Sequence, residues 1–181
     1  MAKESVQKKT NIVLIGFMGS GKTVIGRQTA RLLDFDFADT DDEIRQVTGM
    51  ELRQLFRKHG EIRFRSEERL VLQKLAAREH IVIACGGSLP PKPENLELLR
   101  DKGWFVLLTA KPEVIRNRLQ RKANRLLTGS KPSAEHISMQ AAAWEQNFTP
   151  YADFILDSGA INVDEAATKL AENFRAFCSQ P

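Results

Sequence analysis

Asn11-Ile12-Val13-Leu14-Ile15-Gly16-Phe17-Met18-Gly19-Ser20-Gly21-Lys22-Thr23 is the stretch whose reading decides the fold. Its first five residues form a short apolar run, the pattern of a strand buried on both faces. Residues 16–23 then match G-x-x-x-x-G-K-[ST], the phosphate-binding loop. Glycine permits backbone conformations that a side chain would block. Successive N–H groups can therefore gather around one anion at a helix N-terminus. Lys22 adds a point charge for the outer phosphates of a nucleoside triphosphate, which makes it a candidate catalytic residue as well. The Thr23 hydroxyl is the kind of hard oxygen ligand that Mg2+ prefers. Gly19, Ser20, Gly21, Lys22, Thr23 and Val24 are the candidate nucleotide-binding residues, with Mg2+ as the implied cofactor and ATP as the implied co-substrate. A chance glycine-rich turn is the competing reading, and the strand before and helical pattern after weigh against it.

Outward from the loop, short apolar runs recur at 35–38, 81–84, 104–108 and 153–156. Helical patterns lie between them, at 22–33, 42–48, 51–58, 63–78, 93–102, 112–122, 134–147 and 163–178. Strand and helix in alternation predict an α/β fold, a parallel sheet covered by helices on both sides. Two segments read as irregular: 88–93, with Pro90, Pro91 and Pro93, and 123–133, a candidate mobile loop.

The bulk numbers bound the function. A chain of 181 residues suits one domain, and 42% hydrophobic with 28% charged is ordinary for a globular protein. The net charge of +4 fits an anionic ligand without demanding one. Cys85 and Cys178 form no CxxC pair or Cys/His cluster, which argues against a zinc site and a disulfide framework. The polar start MAKESVQKKT has no apolar signal core, and no apolar run is long enough to span a bilayer. The expectation is a cytoplasmic protein without a membrane partner. Aromatic residues make up 7% and do not interleave with basic ones on a strand, so nucleic acid is not expected either.

Asp39-Thr40-Asp41-Asp42 follows the second apolar run directly. Ligands of open α/β sheets bind at the C-terminal strand ends, which brings these acids near the phosphates. Asp39 is a candidate metal ligand with Thr23, and Asp41 a candidate to orient or deprotonate an attacking hydroxyl. In extended geometry Asp39 and Asp41 would face one side and Asp42 the other. The competing reading is that these acids cap the next helix.

The ordered set of Gly16–Thr23, Asp39-Thr40-Asp41, Phe64-Arg65 and Gly86-Gly87, with TDDEIRQVTG and the stretch 60–68 around it, resembles the shikimate kinase family. The resemblance runs from about Asn11 to the final helix. It implies a three-layer α/β/α fold of P-loop kinase type with a five-stranded parallel sheet. It divides the single domain into a core of about 11–40, 79–122 and 149–181, a substrate-binding subdomain of about 41–78 and a mobile lid of about 123–135. The implied reaction moves the γ-phosphoryl of ATP to the 3-hydroxyl of shikimate, toward chorismate and the aromatic amino acids, in a monomer. By the same resemblance Asp39 assists magnesium, and Asp41 contacts the sugar-like hydroxyls and acts as base. Arg65 binds the shikimate carboxylate, Gly86 and Gly87 offer backbone groups, and Arg125 of the lid meets the nucleotide phosphates. Read from residues alone, Arg65 suits a pair with Glu68 on one helix face better, and Gly86-Gly87 equally suits a plain turn. Arg116, Arg118, Arg121, Lys122, Arg125 and Lys131 form a basic cluster, most of which reads as a solvated helix face.

Three positions depart from the family pattern. The third glycine is Ser88, and the lid text Arg125-Leu126-Leu127 lacks its proline. Trp144 falls where the family places a second carboxylate-binding arginine, and Phe148 where it places a tyrosine. Trp144 then reads either as a substrate-stacking ring or as a core tryptophan. Two alternatives follow: a relative acting on another small hydroxylated metabolite, and a nucleotide-binding regulatory protein. The retained Lys22, Thr23, Asp39 and Asp41 argue against the second.

Overall fold

The computed structural model describes residues 9–87, 91–120 and 133–179. Five strands form one parallel sheet: β1 Asn11–Ile15, β2 Asp36–Asp39, β3 Ile81–Ala84, β4 Gly103–Thr109 and β5 Phe154–Asp157. Their order is β2-β3-β1-β4-β5, with Val13 opposite Ile83 on one side and Phe105 on the other. The sheet is parallel because each crossover is helical. Helices α1 Lys22–Leu33, α2 Thr40–Thr48, α3 Leu52–Ala76 and α4 Pro93–Leu96 serve the first half of the chain. Helices α5 Pro112–Gln120, α6 Ala134–Phe148 and α7 Val163–Cys178 serve the second.

Period-two alternation sends each strand's side chains to opposite faces. Val13, Ile15, Ile83, Phe105 and Leu107 pack with Leu72 of α3 and Trp144 of α6. Ile12, Leu14, Val82, Trp104 and Leu108 pack with Ile25 of α1 and Phe174 of α7. At β1, β3 and β4 both faces are therefore dry, which is why those strands read as continuous apolar runs.

Several boundaries differ from the sequence reading. The second strand is shifted one residue, to Asp36–Asp39, because Asp34 turns left-handed (φ 56°) to end α1. Segments 51–58 and 63–78 join into α3, broken at Gly60, whose φ of 77° and ψ of 179° a side chain would resist. The helix expected over 93–102 is only α4 followed by a 3-10 turn, Glu97–Leu99. Gly103 already starts β4 behind it, so little chain is left for more helix.

Candidate active site

The C-terminal ends of the strands share one edge of the sheet, and the segments leaving β1, β2, β3 and β5 enclose a cavity of about 300 Å³. That volume is at the lower end for a small-molecule site. From β1 come Gly19, Gly21, Lys22, Thr23 and Val24; from β2, Asp39 and Asp41; from β3, Cys85, Gly86 and Gly87. Segment 158–163 after β5 closes the far end with Arg118 and Leu119 of α5.

The loop is shaped by its glycines. Gly21 is left-handed (φ 95°) and is the N-cap of α1. The first turn of α1 therefore presents amides that have no partner within the helix. Lys22 is buried and donates to the carbonyls of Gly16 at 2.6 Å and Phe17 at 3.1 Å. Burial lowers the Lys22 ammonium to about 8, against the pull of Asp41 and Asp39. A Cβ on Gly87 would stand 2.6 Å from Lys22 Nζ, and one on Gly86 would strike the Asp41 carboxylate. Gly86-Gly87 is thus more than a turn: it is where backbone passes close to both charged groups.

Asp39 sits in extended backbone as expected, and Asp41 does not. Asp39 ends β2 and is also the N-cap of α2, accepting from Asp41 N at 3.1 Å. Helix begins at Thr40, so Asp41 is wrapped back into the first turn rather than carried along a strand. Capping and a place in the cavity are satisfied by the same residues. Asp39 Oδ2 accepts from the Thr23 hydroxyl at 2.7 Å. Thr40 Oγ1 accepts from Gly86 N at 2.8 Å, pinning the β3 turn to α2. Asp42 points elsewhere, to Arg45 and Arg27. Burial, with Asp39 adding, pushes the Asp41 carboxyl up to about 6; Lys22 and Arg45 oppose the shift. Cys85 is buried and its thiol is pushed far up by desolvation, so it is no nucleophile.

Arg65 does not line this cavity. Its side chain is 12% exposed and donates to Glu61 at 3.3 Å and Glu68 at 3.0 Å. Asn95 Nδ2 donates to the same Glu68 oxygen at 3.0 Å. Glu68 is close enough to raise the Asp41 carboxyl, which puts the Arg65–Glu68 pair beside the site. The helix-face pairing read from sequence is therefore real.

Ser20 is buried, with its amide donating to Phe17 O, and it borders a second cavity behind the loop. Trp144 is 6% exposed and packs edge-on to Phe17 and against Phe148, so it is a core residue. Arg125, Ser88 and nearly all of the lid segment lie outside the described residues. Arg118 is not the solvated helix residue its neighbours suggested. It donates to Gly19 O at 3.1 Å and to Ser158 O at 2.7 Å. Sequence reasoning missed Ser158 altogether, because its partners Ser20 and Thr109 lie 138 and 49 residues away.

The fold and the cavity define a class: a P-loop kinase that acts on a small molecule. A family model for shikimate kinase matches residues 18–175. A shikimate kinase of Pelotomaculum thermopropionicum is 44% identical over 160 residues, 88% of this chain and 92% of that protein. One from Desulforudis audaxviator is 43% identical over 152 residues, 82% of this chain and 78% of its own. Among solved structures, the shikimate kinase of Acinetobacter baumannii in complex with shikimate superposes with a TM-score of 0.84 at 29% identity, covering 99% of this chain and 100% of that one. The chain belongs to the shikimate kinase family.

Proposed function

We propose that the chain transfers the γ-phosphoryl group of ATP to the 3-hydroxyl of shikimate. The observation that carries this reading is the meeting of Lys22, Asp39, Asp41 and Gly86-Gly87 in one cavity at the strand ends. The base and ribose lie at the far end, between Arg118 and segment 158–163. The phosphates lie over the first turn of α1, with Lys22 on the outer oxygens.

Magnesium fits the residues present. Thr23 Oγ1 and the Asp39 carboxylate are hard oxygen donors already side by side. They would hold the ion, which when bound neutralises charge on the transferring phosphoryl oxygens. Asp41 orients the attacking hydroxyl and accepts its proton; a carboxylate poised near 6 is suited to that task near neutral pH. Arg65 takes the carboxylate of the acceptor, for which a guanidinium fork is suited. The subdomain of about 41–78 carries Asp41 and Arg65, and the lid of about 123–135 brings Arg125 to the phosphates. Closure excludes water from the phosphoryl group. We further propose a cytoplasmic monomer without a nucleic-acid partner. No helix among the described residues is long and apolar enough to cross a membrane.

ADP release from Mg-ATP, measured with shikimate, with quinate and with other hydroxylated acids, tests the proposal. Shikimate-dependent release that exceeds all the others is the expected outcome. ATP binding without any response to shikimate would remove shikimate as the acceptor.

A further inference from the structure

A phosphate-binding loop works only if its amides face the phosphates. In a planar trans peptide the carbonyl points opposite to the N–H that follows it. The orientation of each loop amide is therefore set by whatever holds the carbonyl before it. Here the carbonyls of Gly19 and Ser20 are held from outside the motif. Arg118 donates to Gly19 O at 3.1 Å. The Ser158 hydroxyl lies 2.6 Å from Ser20 O and 3.0 Å from Thr109 O, and it accepts from Arg118 at 3.1 Å. Ser158 has one hydroxyl proton to give, and Ser20 O is its nearer acceptor. The residue is 1% exposed, and its own amide donates to Thr109 O at 2.8 Å, which fixes it to the end of β4.

The peptide that Ser158 holds is one that is able to turn over. It joins Ser20 to Gly21, whose φ of 95° is left-handed. Glycine crosses between such regions at little cost, so the motif does not lock this plane by itself. We infer that Ser158 is a positioning residue of the nucleotide site, holding the Ser20 carbonyl outward so that the Gly21 N–H stays turned to the phosphates. Ser158 touches no phosphate in this account and acts only through the Ser20–Gly21 peptide. Arg118 supports it from the other side by spanning Gly19 O, Ser158 O and Ser158 Oγ.

The inference rests on the nucleotide reading above and not on the identity of the acceptor. Its signature is dependence on phosphate. Affinities of ATP, ADP and adenosine are measured by titration for wild type, Ser158→Ala and Ser158→Cys, the last being near-isosteric with a weak donor. Loss of one net hydrogen bond predicts ATP and ADP binding weakened by about 3–10-fold in Ser158→Ala, with adenosine changed less than about twofold. The Gly21 amide resonance should shift in the same variant while those of α7 do not. Ser158→Cys should show a smaller loss with the same preference, and it carries the test if Ser158→Ala does not fold. Equal weakening of all three ligands would make Ser158 a wall of the base pocket and overturn the inference. Unchanged affinities in both variants would overturn it too. Wild-type protein that binds no ATP would sink the kinase reading along with this one.

Discussion

At the phosphate loop the groups proposed to face the ligand are amides, set by backbone geometry and by hydrogen bonds onto the loop carbonyls from Ser158 and Arg118. On the proposed acceptor side, Asp41 of α2 and Arg65 of α3 are side chains, and Arg65 is held by other side chains: Asn95 to Glu68, Glu68 to Arg65, Arg65 to Glu61. The first arrangement is rigid and indifferent to which base it serves. The second can be retuned one residue at a time without disturbing the sheet. The difference suggests a division of labour: the nucleotide end sets whether transfer happens, and the acceptor end sets to what.

The comparison is broken most forcefully at Lys22, the one charged side chain of the loop. Lys22→Ala should lower kcat by about 10²–10³-fold, the scale for removing a donor to transition-state charge. A loss confined to KM would mean that Lys22 serves ground-state binding alone. Asp41→Asn comes next, on the order of 10²-fold in kcat, as for removal of a general base. Here pH separates the halves. Asp41 must be ionised to accept a proton, so wild-type kcat/KM should rise as pH climbs through about 6. Lys22 must stay protonated, so activity should fall above about 8. Asp41→Asn should lose the acidic limb and keep the alkaline one. An unchanged acidic limb would confine Asp41 to orienting the hydroxyl, which a loose phosphoryl transition state allows. Arg65→Lys should be milder. A point charge replaces a fork, and the acceptor KM should rise by roughly tenfold with ATP affinity unmoved.

The same contrast explains what could be read from sequence. The loop was legible because backbone function leaves a compact signature: Gly16, Gly21, Lys22 and Thr23 at fixed spacing after a strand. Asp39 and Asp41 were legible as a pair, but their geometry was not, since helix starting at Thr40 competes with extended backbone. Arg65 was ambiguous because a helix-face ion pair and a ligand fork use the same side chain. Ser158 and Arg118 left no local signal, their roles depending on chain ends that meet only after the sheet forms. Trp144 was open between core and substrate contact, and burial against Phe17 and Phe148 puts it in the core. It packs behind the phosphate loop, against Phe17.

The smallest effect should come from Asn95, and it tests the acceptor half most finely. Asn95 is buried in α4, the shortest α-helix among the described residues, on the segment that follows the Gly86-Gly87 turn. Its amide and the Arg65 guanidinium share one Glu68 oxygen. Asn95→Leu keeps the shape and removes the amide, leaving that oxygen to Arg65. The guanidinium is then drawn harder onto Glu68 and is less available to an incoming carboxylate. Losing a hydrogen bond to a charged group should cost about 1.5–3 kcal/mol of stability, and part of it should appear as an acceptor KM raised about threefold. ATP affinity should stay within about twofold, because no backbone of the phosphate loop is involved. If ATP binding fell in proportion to the acceptor, the turn after β3 would be transmitting strain through Gly87, where a Cβ would meet Met18 N at 3.0 Å. The two halves would then be one frame, and the division between backbone and side chains would be only apparent.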